Sequence, residues 1–443
     1  MPASPSTARA INDRLALRLL QQEGPLTAGQ LKQLTGLSRP TVADLLERLG
    51  AAGLIAVVGE AGEQRRGPNA KVYGIAADRA HLAALDVRTE SVAVVVADLV
   101  GRVLAEASVP IGGDTGTGPA VEQAVTLVEH VAKEAGADRL HTVGIGAPGL
   151  IDPSSGELRD STGLPEWHRE LVATLQERLP EARISVENET NLAALAEQRD
   201  GAARDRDTFV LLWLGHAPGA AVVLDGALRR GASGGTGEIG FLPVPGTAGL
   251  PTSKDCEGGF HSLASSAAVV GLAAEFGIEA AVSEAGVVRA AVGVVQGATA
   301  RVRRAALPEG PGPSGAAAPE VPWPGDPASA GRFLDALADR LAVGVAAVVA
   351  ILDPGCVVLG GEVGQAGGAE LAGRVQRHIA RMTPLATEVR ATTLGGGAVL
   401  RGALLTARNR AQDELFAPVE RVPGGRPDGG QGPSSPPPGR SLG

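Results

Sequence analysis

The first fifty residues place apolar side chains at the spacing of three short amphipathic helices. Gly24-Pro25 separates the first helix from the second, and Gly36 separates the second from the third. Thr27 and Gln30 have the spacing of a capping box at the start of the second helix. The positions expected to face the interior are Ile11, Leu15, Leu19, Leu31, Leu34, Val42, Leu45, Leu46 and Leu49.

Two strand-like runs, 54–58 and 71–75, follow these helices. The turn-rich stretch between them carries Arg65 and Arg66. Three helices followed by a two-stranded wing are the pattern of a winged helix-turn-helix. We therefore predict a winged helix-turn-helix (α+β) DNA-binding domain over residues 1–76.

In such a fold the third helix enters the major groove through its first residues, here Ser38, Arg39 and Thr41. Arginines of the wing, Arg65 and Arg66, would lie near the DNA backbone or in a narrow minor groove. The predicted partner is a double-stranded DNA operator. One alternative stays open, in which the three helices form a protein-interaction or dimerisation module and the arginines are solvated surface charges.

From residue 81 onward, strand patterns alternate with helix patterns in two halves of the chain. The predicted strands are 82–87, 91–97, 103–110, 142–146 and 357–359, and the main predicted helices are 121–135 and 333–352. Strand triplets followed by helices in each half predict an α/β sensor domain, 80–415, with two lobes around a cleft. Pro- and Gly-rich composition predicts a flexible insertion at about 307–330 and a disordered tail at 416–443.

Composition and charge add to this division of the chain. Hydrophobic residues make up 44% of the chain and aromatic residues 2%, which favours a core of Ala, Val and Leu. The net charge is −9, yet the first 75 residues carry +3 and the remainder −12, so a nucleic-acid partner would meet the N-terminal unit. Only two distant cysteines, no secretory segment and no membrane-spanning run predict a cytoplasmic protein with no membrane partner.

Six segments, in order, resemble the ROK family of repressors and sugar kinases, and the resemblance covers nearly all of residues 8–410. The segments are GIGAPGLID (144–152), LPEW (164–167), VENETNLAALAE (186–197), LDG (224–226), RGASGGTGEIG (230–240) and LDP through Gly361 (352–361). The resemblance implies an α/β two-lobed actin-like ATPase (ribonuclease H-like) fold. It also implies a sugar site, two phosphate-binding hairpins and dimeric assembly.

Both phosphate hairpins depart from the family pattern. The family's Asp-x-Gly-Gly-Thr is Asp-Val-Arg-Thr-Glu at 86–90, and its Gly-Thr-Gly-x-Gly is Gly-His-Ala-Pro-Gly at 215–219. Glycines let backbone N–H groups approach a phosphate closely, and their loss weakens both loops. We therefore predict that ATP is not a cofactor and that phosphoryl transfer is lost.

The resemblance implies a sugar-like effector that contacts Gly149, Asn188, Glu189, Glu238 and His261. Glu189 occupies the position of the family's catalytic Asp base, where a longer side chain harms in-line attack more than it harms binding, so no catalytic residue is expected. His261 occupies the position of a sugar-contacting Glu. Two alternatives stay open: Asn188 and Glu189 only cap the helix predicted at 190–198, and His261 is an ordinary polar residue.

The zinc motif of many family members is absent. Phe241 replaces its His, and Thr252, Lys254 and Gly259 occupy its three cysteine positions, so neither zinc nor another metal is expected.

Three functional hypotheses follow from these features. The first is a sugar-responsive transcription repressor without kinase activity, assembled as a homodimer or homotetramer. The second is an ATP-dependent sugar kinase that carries a DNA-binding domain. The third is a regulator whose sensor domain binds a protein partner or nothing.

Overall fold

The computed structural model describes residues 5–61, 69–152, 154–158, 165–252, 254–278, 283–305, 323 and 326–417. Arg65 and Arg66 lie outside these ranges, as do residues 307–322, 324 and 325 of the predicted insertion and residues 418–443 of the predicted tail.

The N-terminal unit is a winged helix-turn-helix, as predicted. Its elements are α1 (Pro5–Glu23), β1 (Leu26–Thr27), α2 (Ala28–Thr35), α3 (Arg39–Ala51), β2 (Ile55–Ala61) and β3 (Ala70–Ile75). The strands form an antiparallel sheet in the order β1-β3-β2. The short strand β1, which the sequence patterns did not predict, pairs with β3 and so fixes the start of α2 against the wing.

Local capping signals explain where the helices of this unit begin and end. The Thr27 side chain accepts a hydrogen bond from the backbone of Gln30, and the Gln30 side chain accepts one from the backbone of Thr27, which confirms the capping box. Gly36 ends α2 in the left-handed conformation, with φ 69°. Ser38 caps α3 by accepting from the Thr41 N–H.

Three apolar residues expected in the interior are exposed instead: Ile11 by 58%, Leu15 by 38% and Leu34 by 50%. The buried side of α1 consists of Ala16, Leu17 and Leu20. This side of α1 packs into a cluster that includes residues from a far later part of the chain, and helical spacing within α1 carries no information about that partner.

The first lobe of the C-terminal unit is built on a five-stranded sheet. Its elements are β4 (His81–Arg88), β5 (Ser91–Asp98), β6 (Val103–Pro110), α4 (Thr117–Glu134), β7 (Leu140–Ala147), α5 (Trp167–Arg178), β8 (Arg183–Asn188) and α6 (Glu189–Asp200). The strand order is β6-β5-β4-β7-β8, with β4, β7 and β8 parallel and the other pairs antiparallel.

The second lobe repeats this arrangement. Its elements are β9 (Phe209–Leu214), β10 (Pro218–Leu224), β11 (Ala227–Arg229), α7 (His261–Ala264), α8 (Ser266–Ala274), α9 (Glu284–Ala305), α10 (Pro327–Leu352), β12 (Cys356–Gly360), α11 (Gly361–Met382) and β13 (Glu388–Ala391). The strand order β11-β10-β9-β12-β13 matches that of the first lobe position by position. The two-lobed, actin-like α/β fold is therefore confirmed.

The flexible insertion expected at 307–330 ends earlier than expected. Asp326 caps α10 by accepting from the Ser329 N–H, and Ala330 is fully buried, so the last four residues of that range are helical. The prediction of a disordered tail from residue 416 is wrong at Phe416, which packs against an apolar cluster at the end of the final helix.

That final helix, α12 (Ala398–Leu415), returns from the second lobe to pack on the first-lobe sheet beside α6. Close approach requires glycine here, because a Cβ on Gly402 would overlap the Leu192 carbonyl oxygen. Further along α12, Ala411 joins Leu17 and Leu20 of α1 in one buried cluster. The winged helix and the sensor domain thus share a core. No helix in the described part of the chain is long and apolar enough to cross a membrane.

Candidate DNA-binding surface and effector cleft

The recognition helix α3 begins with an exposed arginine. Arg39 is its first residue and, within the described ranges, forms no ion pair. Ser38 and Thr41 are engaged with each other, because their hydroxyl oxygens lie 2.8 Å apart and the Ser38 oxygen also accepts from the Thr41 N–H. The structure therefore gives these two residues a capping role and leaves the Arg39 guanidinium available for a partner.

Arg39 shares a groove of about 630 Å³ with two lysines that the sequence patterns did not single out. Lys32 reaches the groove from α2 and Lys71 from β3, and both are exposed. Their charges were counted in the sequence, but their convergence depends on the packing of α2, α3 and the wing. Glu47 lines the same groove, and the three cations leave it with an excess of positive charge, which matches the electrostatic footprint of a nucleic-acid surface.

Asn188 lies where β8 ends and α6 begins, at the position expected to face the interlobe cleft. Its side-chain oxygen caps α6 by accepting from the N–H groups of Thr190 and Asn191, at 2.9 and 3.3 Å. Its amide nitrogen donates to the Gly149 carbonyl at 3.1 Å and to the Glu189 carboxyl at 2.9 Å. The same side chain therefore caps α6 and holds Gly149 and Glu189 in place.

Carboxyl groups gather at this point. Burial, together with the nearby carboxyls of Glu238 and Asp86, raises the pKa of Glu189 to about 8, against the opposing effects of a backbone hydrogen bond and of Arg88. Burial also raises the pKa of the Glu238 carboxyl. A neutral Glu189 can both donate and accept a hydrogen bond, as a ligand with several hydroxyl groups requires.

A second network, not assigned from the sequence, supports the same cleft. Arg230, just after β11, donates to the Glu187 carboxylate at 2.6 Å. Glu187 also accepts from the Asn191 side chain at 2.9 Å and from the Asn188 N–H at 3.0 Å. This network ties the second lobe to the end of β8 beside the cleft.

His261 lies apart from this network. Burial lowers the pKa of its imidazole, and neighbouring His216 of the second hairpin lowers it further. No hydrogen bond joins His261 to Asn188 or Glu189 within the described residues, and its Nδ1 atom is buried without a partner. The structure thus brings Gly149, Asn188 and Glu189 into direct contact, sets Glu238 near them, and places His261 beside the hairpin.

The position between the two hairpins is occupied by the protein itself. Arg88 donates through Nε to Asp86 at 2.9 Å and through Nη1 to Glu362 of α11 at 2.5 Å. The remaining cavity around these residues measures about 10 Å³, roughly the room of one water molecule. A nucleotide polyphosphate would have to displace this ion pair and separate the lobes.

Residues at the former zinc motif are not clustered as metal ligands. Among the described residues, no group of three or more His, Cys, Asp or Glu side chains is arranged to hold a metal ion. Phe241 is 40% exposed in a short 3-10 helix beside Glu238.

A winged helix joined to a duplicated, two-lobed α/β unit of the sugar-kinase type is the class of protein that this architecture defines. Residues 82–410 match the ROK family, and residues 9–56 match a winged helix-turn-helix DNA-binding family. The chain belongs to the ROK family.

Individual relatives include both regulators and kinases. A xylose repressor from Caldicellulosiruptor bescii is 24% identical over 240 residues, which are 53% of this chain and 59% of the relative, so the chain spans less than two thirds of it. A ROK family transcriptional regulator, a homologue of the Escherichia coli MLC protein, superposes with a TM-score of 0.68 at 20% identity, over 92% of this chain and 98% of its own. A ROK hexokinase from Thermus thermophilus superposes with a TM-score of 0.55 at 27% identity, over 75% and 99%.

Proposed function

We propose that this protein is a transcription repressor that binds an operator through its winged helix and responds to a sugar or sugar-derived effector in the interlobe cleft. The observation that carries the proposal is the groove in which Arg39, Lys32 and Lys71 converge, on a winged helix that shares its core with the sensor domain. Cations grouped at the start of a recognition helix suit phosphate and base-edge contacts.

The cleft supports the effector part of the proposal. Gly149, Asn188 and Glu189 form a connected polar group, and Glu238 lies near it. Polar groups that converge in a cleft between lobes are typical of small-molecule sites. A relative named as a xylose repressor supports a sugar-like ligand, while its partial coverage of this chain leaves the effector's identity open to experiment.

Phosphoryl transfer is no part of the proposed function, and neither ATP nor a metal is a proposed cofactor. Arg88 and Glu362 fill the space between the hairpins, where phosphoryl transfer requires positioned phosphates and neutralised charge. Glu189 has a raised pKa, and its neutral form is a poor base for a sugar hydroxyl at pH 7.

Dimeric assembly belongs to the same proposal. Helix-turn-helix regulators place two recognition helices in successive major grooves, and this requires two copies of the unit. Ile11 and Leu15 present exposed apolar surface on α1 and are candidates for the contact between copies.

The test is a titration of the full chain against fluorescently labelled DNA from upstream of its own gene, over a range of salt concentrations. We expect selective binding that weakens steeply with salt, because phosphate contacts release counterions. Arg39→Ala should weaken binding by roughly 10- to 100-fold. The matched control is Arg377→Ala, an exposed arginine on α11, which should leave the affinity unchanged.

Two results would contradict the proposal. Equal binding of every DNA fragment at low and moderate salt would show that the protein does not recognise a specific operator. Release of ADP from ATP in the presence of a hexose by the same preparation, abolished in Glu189→Gln, would favour a sugar kinase that carries a DNA-binding domain.

A further inference from the structure

The first-lobe sheet has a part of one face that no helix covers. Helix α12 packs mainly over β4 and β7, and a cavity of about 560 Å³ remains between α12 and the outer strands β5 and β6. Val95, Leu400 and Leu404 form its apolar wall. This volume lies within the range of small-molecule sites, and the cavity is separate from the interlobe cleft.

Three arginines line the same cavity: Arg204, Arg401 and Arg408. Arg408 is half-buried, and within the described residues its guanidinium bonds only to the Asn409 side chain, at 3.2 and 3.4 Å. Burial and neighbouring Arg199 lower the pKa of Arg408, against the opposing effect of the Asp200 carboxylate, with which Arg408 forms no ion pair in the described chain. A desolvated guanidinium that lacks an anionic partner is costly for the fold.

Arg390 shows the arrangement that is usual for an arginine with little exposed surface. Arg390 donates to both Asp205 and Glu388, at 2.6 to 3.0 Å, and these carboxylates raise its pKa. Arg408 lacks such a pair, although Glu106 and Asp200 also line its cavity. Neither carboxylate forms an ion pair with any of the three lining arginines in the described chain, and the cavity keeps an excess of positive charge.

We propose that this cavity binds a small organic anion, a carboxylate or phosphate ester with an apolar body. Arg408 holds the anionic group from the depth of the cavity, with Arg204 and Arg401 at its rim. The apolar body packs on the wall formed by α12 and β5. Charge pairing offsets the burial of the Arg408 guanidinium, and apolar burial selects against a bare inorganic ion.

Binding of the anion would change a contact between α12 and the winged helix. The Asn409 oxygen that accepts from Arg408 also accepts from Gln21 of α1, at 3.4 Å. An anion that draws Arg408 away from Asn409 therefore alters a contact between α12 and the DNA-binding unit. This site would give the protein a second input that is independent of the cleft.

The experiment is calorimetric titration of the full chain with phenyl phosphate at low ionic strength, with phenol and inorganic phosphate as separate probes. We expect one phenyl phosphate per chain, with at least tenfold weaker binding of either separate probe. Arg408→Gln and Arg401→Gln should each weaken phenyl phosphate binding at least tenfold. Arg410→Gln, which removes the same charge from the same helix outside this cavity, should change it less than twofold.

Circular dichroism melting establishes that each variant is folded, and the exposed position of Arg401 provides a variant that leaves the core intact. Absence of binding at millimolar phenyl phosphate would overturn the proposal. Equal weakening by Arg410→Gln and Arg408→Gln would also overturn it, since attraction would then be non-specific. Tighter binding of inorganic phosphate than of phenyl phosphate would contradict the proposal that the apolar wall of the cavity binds the ligand.

Discussion

The carboxyl group of Glu189 lies beside other carboxyls and away from bulk water, and its pKa of about 8 reflects both conditions. Its ordinary value is 4.5, so the folded protein holds a proton here that the unfolded chain releases between these two pH values. The stability that the neutral group supports is fully present below pH 4.5, and it is lost as the pH rises toward 8.

Glu189→Gln replaces this carboxyl with a neutral group of the same shape. Because the amide has no proton to lose, we expect the melting temperature of the variant relative to wild type to rise between pH 5 and pH 8.5, by several degrees. Thermal melting at the two pH values measures the change. Glu134→Gln, at an exposed carboxyl on α4, is the control, and an equal pH response in both variants would contradict the prediction.

Sequence motifs located the cleft residues but not their partners. Asn188 matches a family motif and Glu189 occupies the position of the family's Asp, and the structure brings the two side chains into hydrogen-bond contact. Arg230 and Glu187 stand 43 residues apart, and Arg88 and Glu362 stand 274 apart. Such contacts depend on how the lobes close, which local spacing does not encode.

At the scale of elements, the sequence predicted the ends of the helices more accurately than their buried faces. The capping box of Thr27 and Gln30 was predicted because the two residues lie three positions apart. The buried side of α1 was predicted wrongly because part of its packing partner is α12, near the other end of the chain. Local hydrogen bonding can be read from a short segment, whereas a burial partner so distant in sequence cannot.

Helix α12 depends on a close approach to α6. Gly402→Ala would place a methyl group against the Leu192 carbonyl oxygen, and we expect a loss of about 1–3 kcal/mol in the free energy of unfolding. Urea denaturation measures this loss. Gly271→Ala in α8 is the matched control, because open space surrounds that Cβ position and helix propensity should increase stability by roughly 0.5–1 kcal/mol. Similar stability changes in the two variants would refute this account of α12.

At the scale of the whole molecule, two ion pairs in the described part of the chain cross between the lobes, Arg88 with Glu362 and Arg230 with Glu187. One lies between the hairpins and the other beside the cleft. Opening of the lobes must break these contacts, and a ligand that favours either arrangement shifts the balance between them.

A double-mutant cycle with Arg88→Gln and Glu362→Gln measures the first of these contacts. Both side chains are 36% exposed, and we expect a coupling energy of about 0.5–1 kcal/mol in urea denaturation. The more exposed pair Arg139 and Glu181 is the control, with an expected coupling near zero. Additive effects of Arg88→Gln and Glu362→Gln would show that this ion pair does not hold the lobes together.

The winged helix and the sensor domain share one hydrophobic core, to which both α1 and α12 contribute. Gln21 meets Asn409, 388 positions later in the chain, and Leu17 and Leu20 are buried in a cluster that also contains Ala411. A fragment cut after residue 76 would lose Leu82, Leu99 and Ala411 from this cluster, and we expect it to be less stable than the winged helix in the full chain. Chimeras that exchange operator specificity between relatives must therefore transplant the last turns of α12 together with the winged helix.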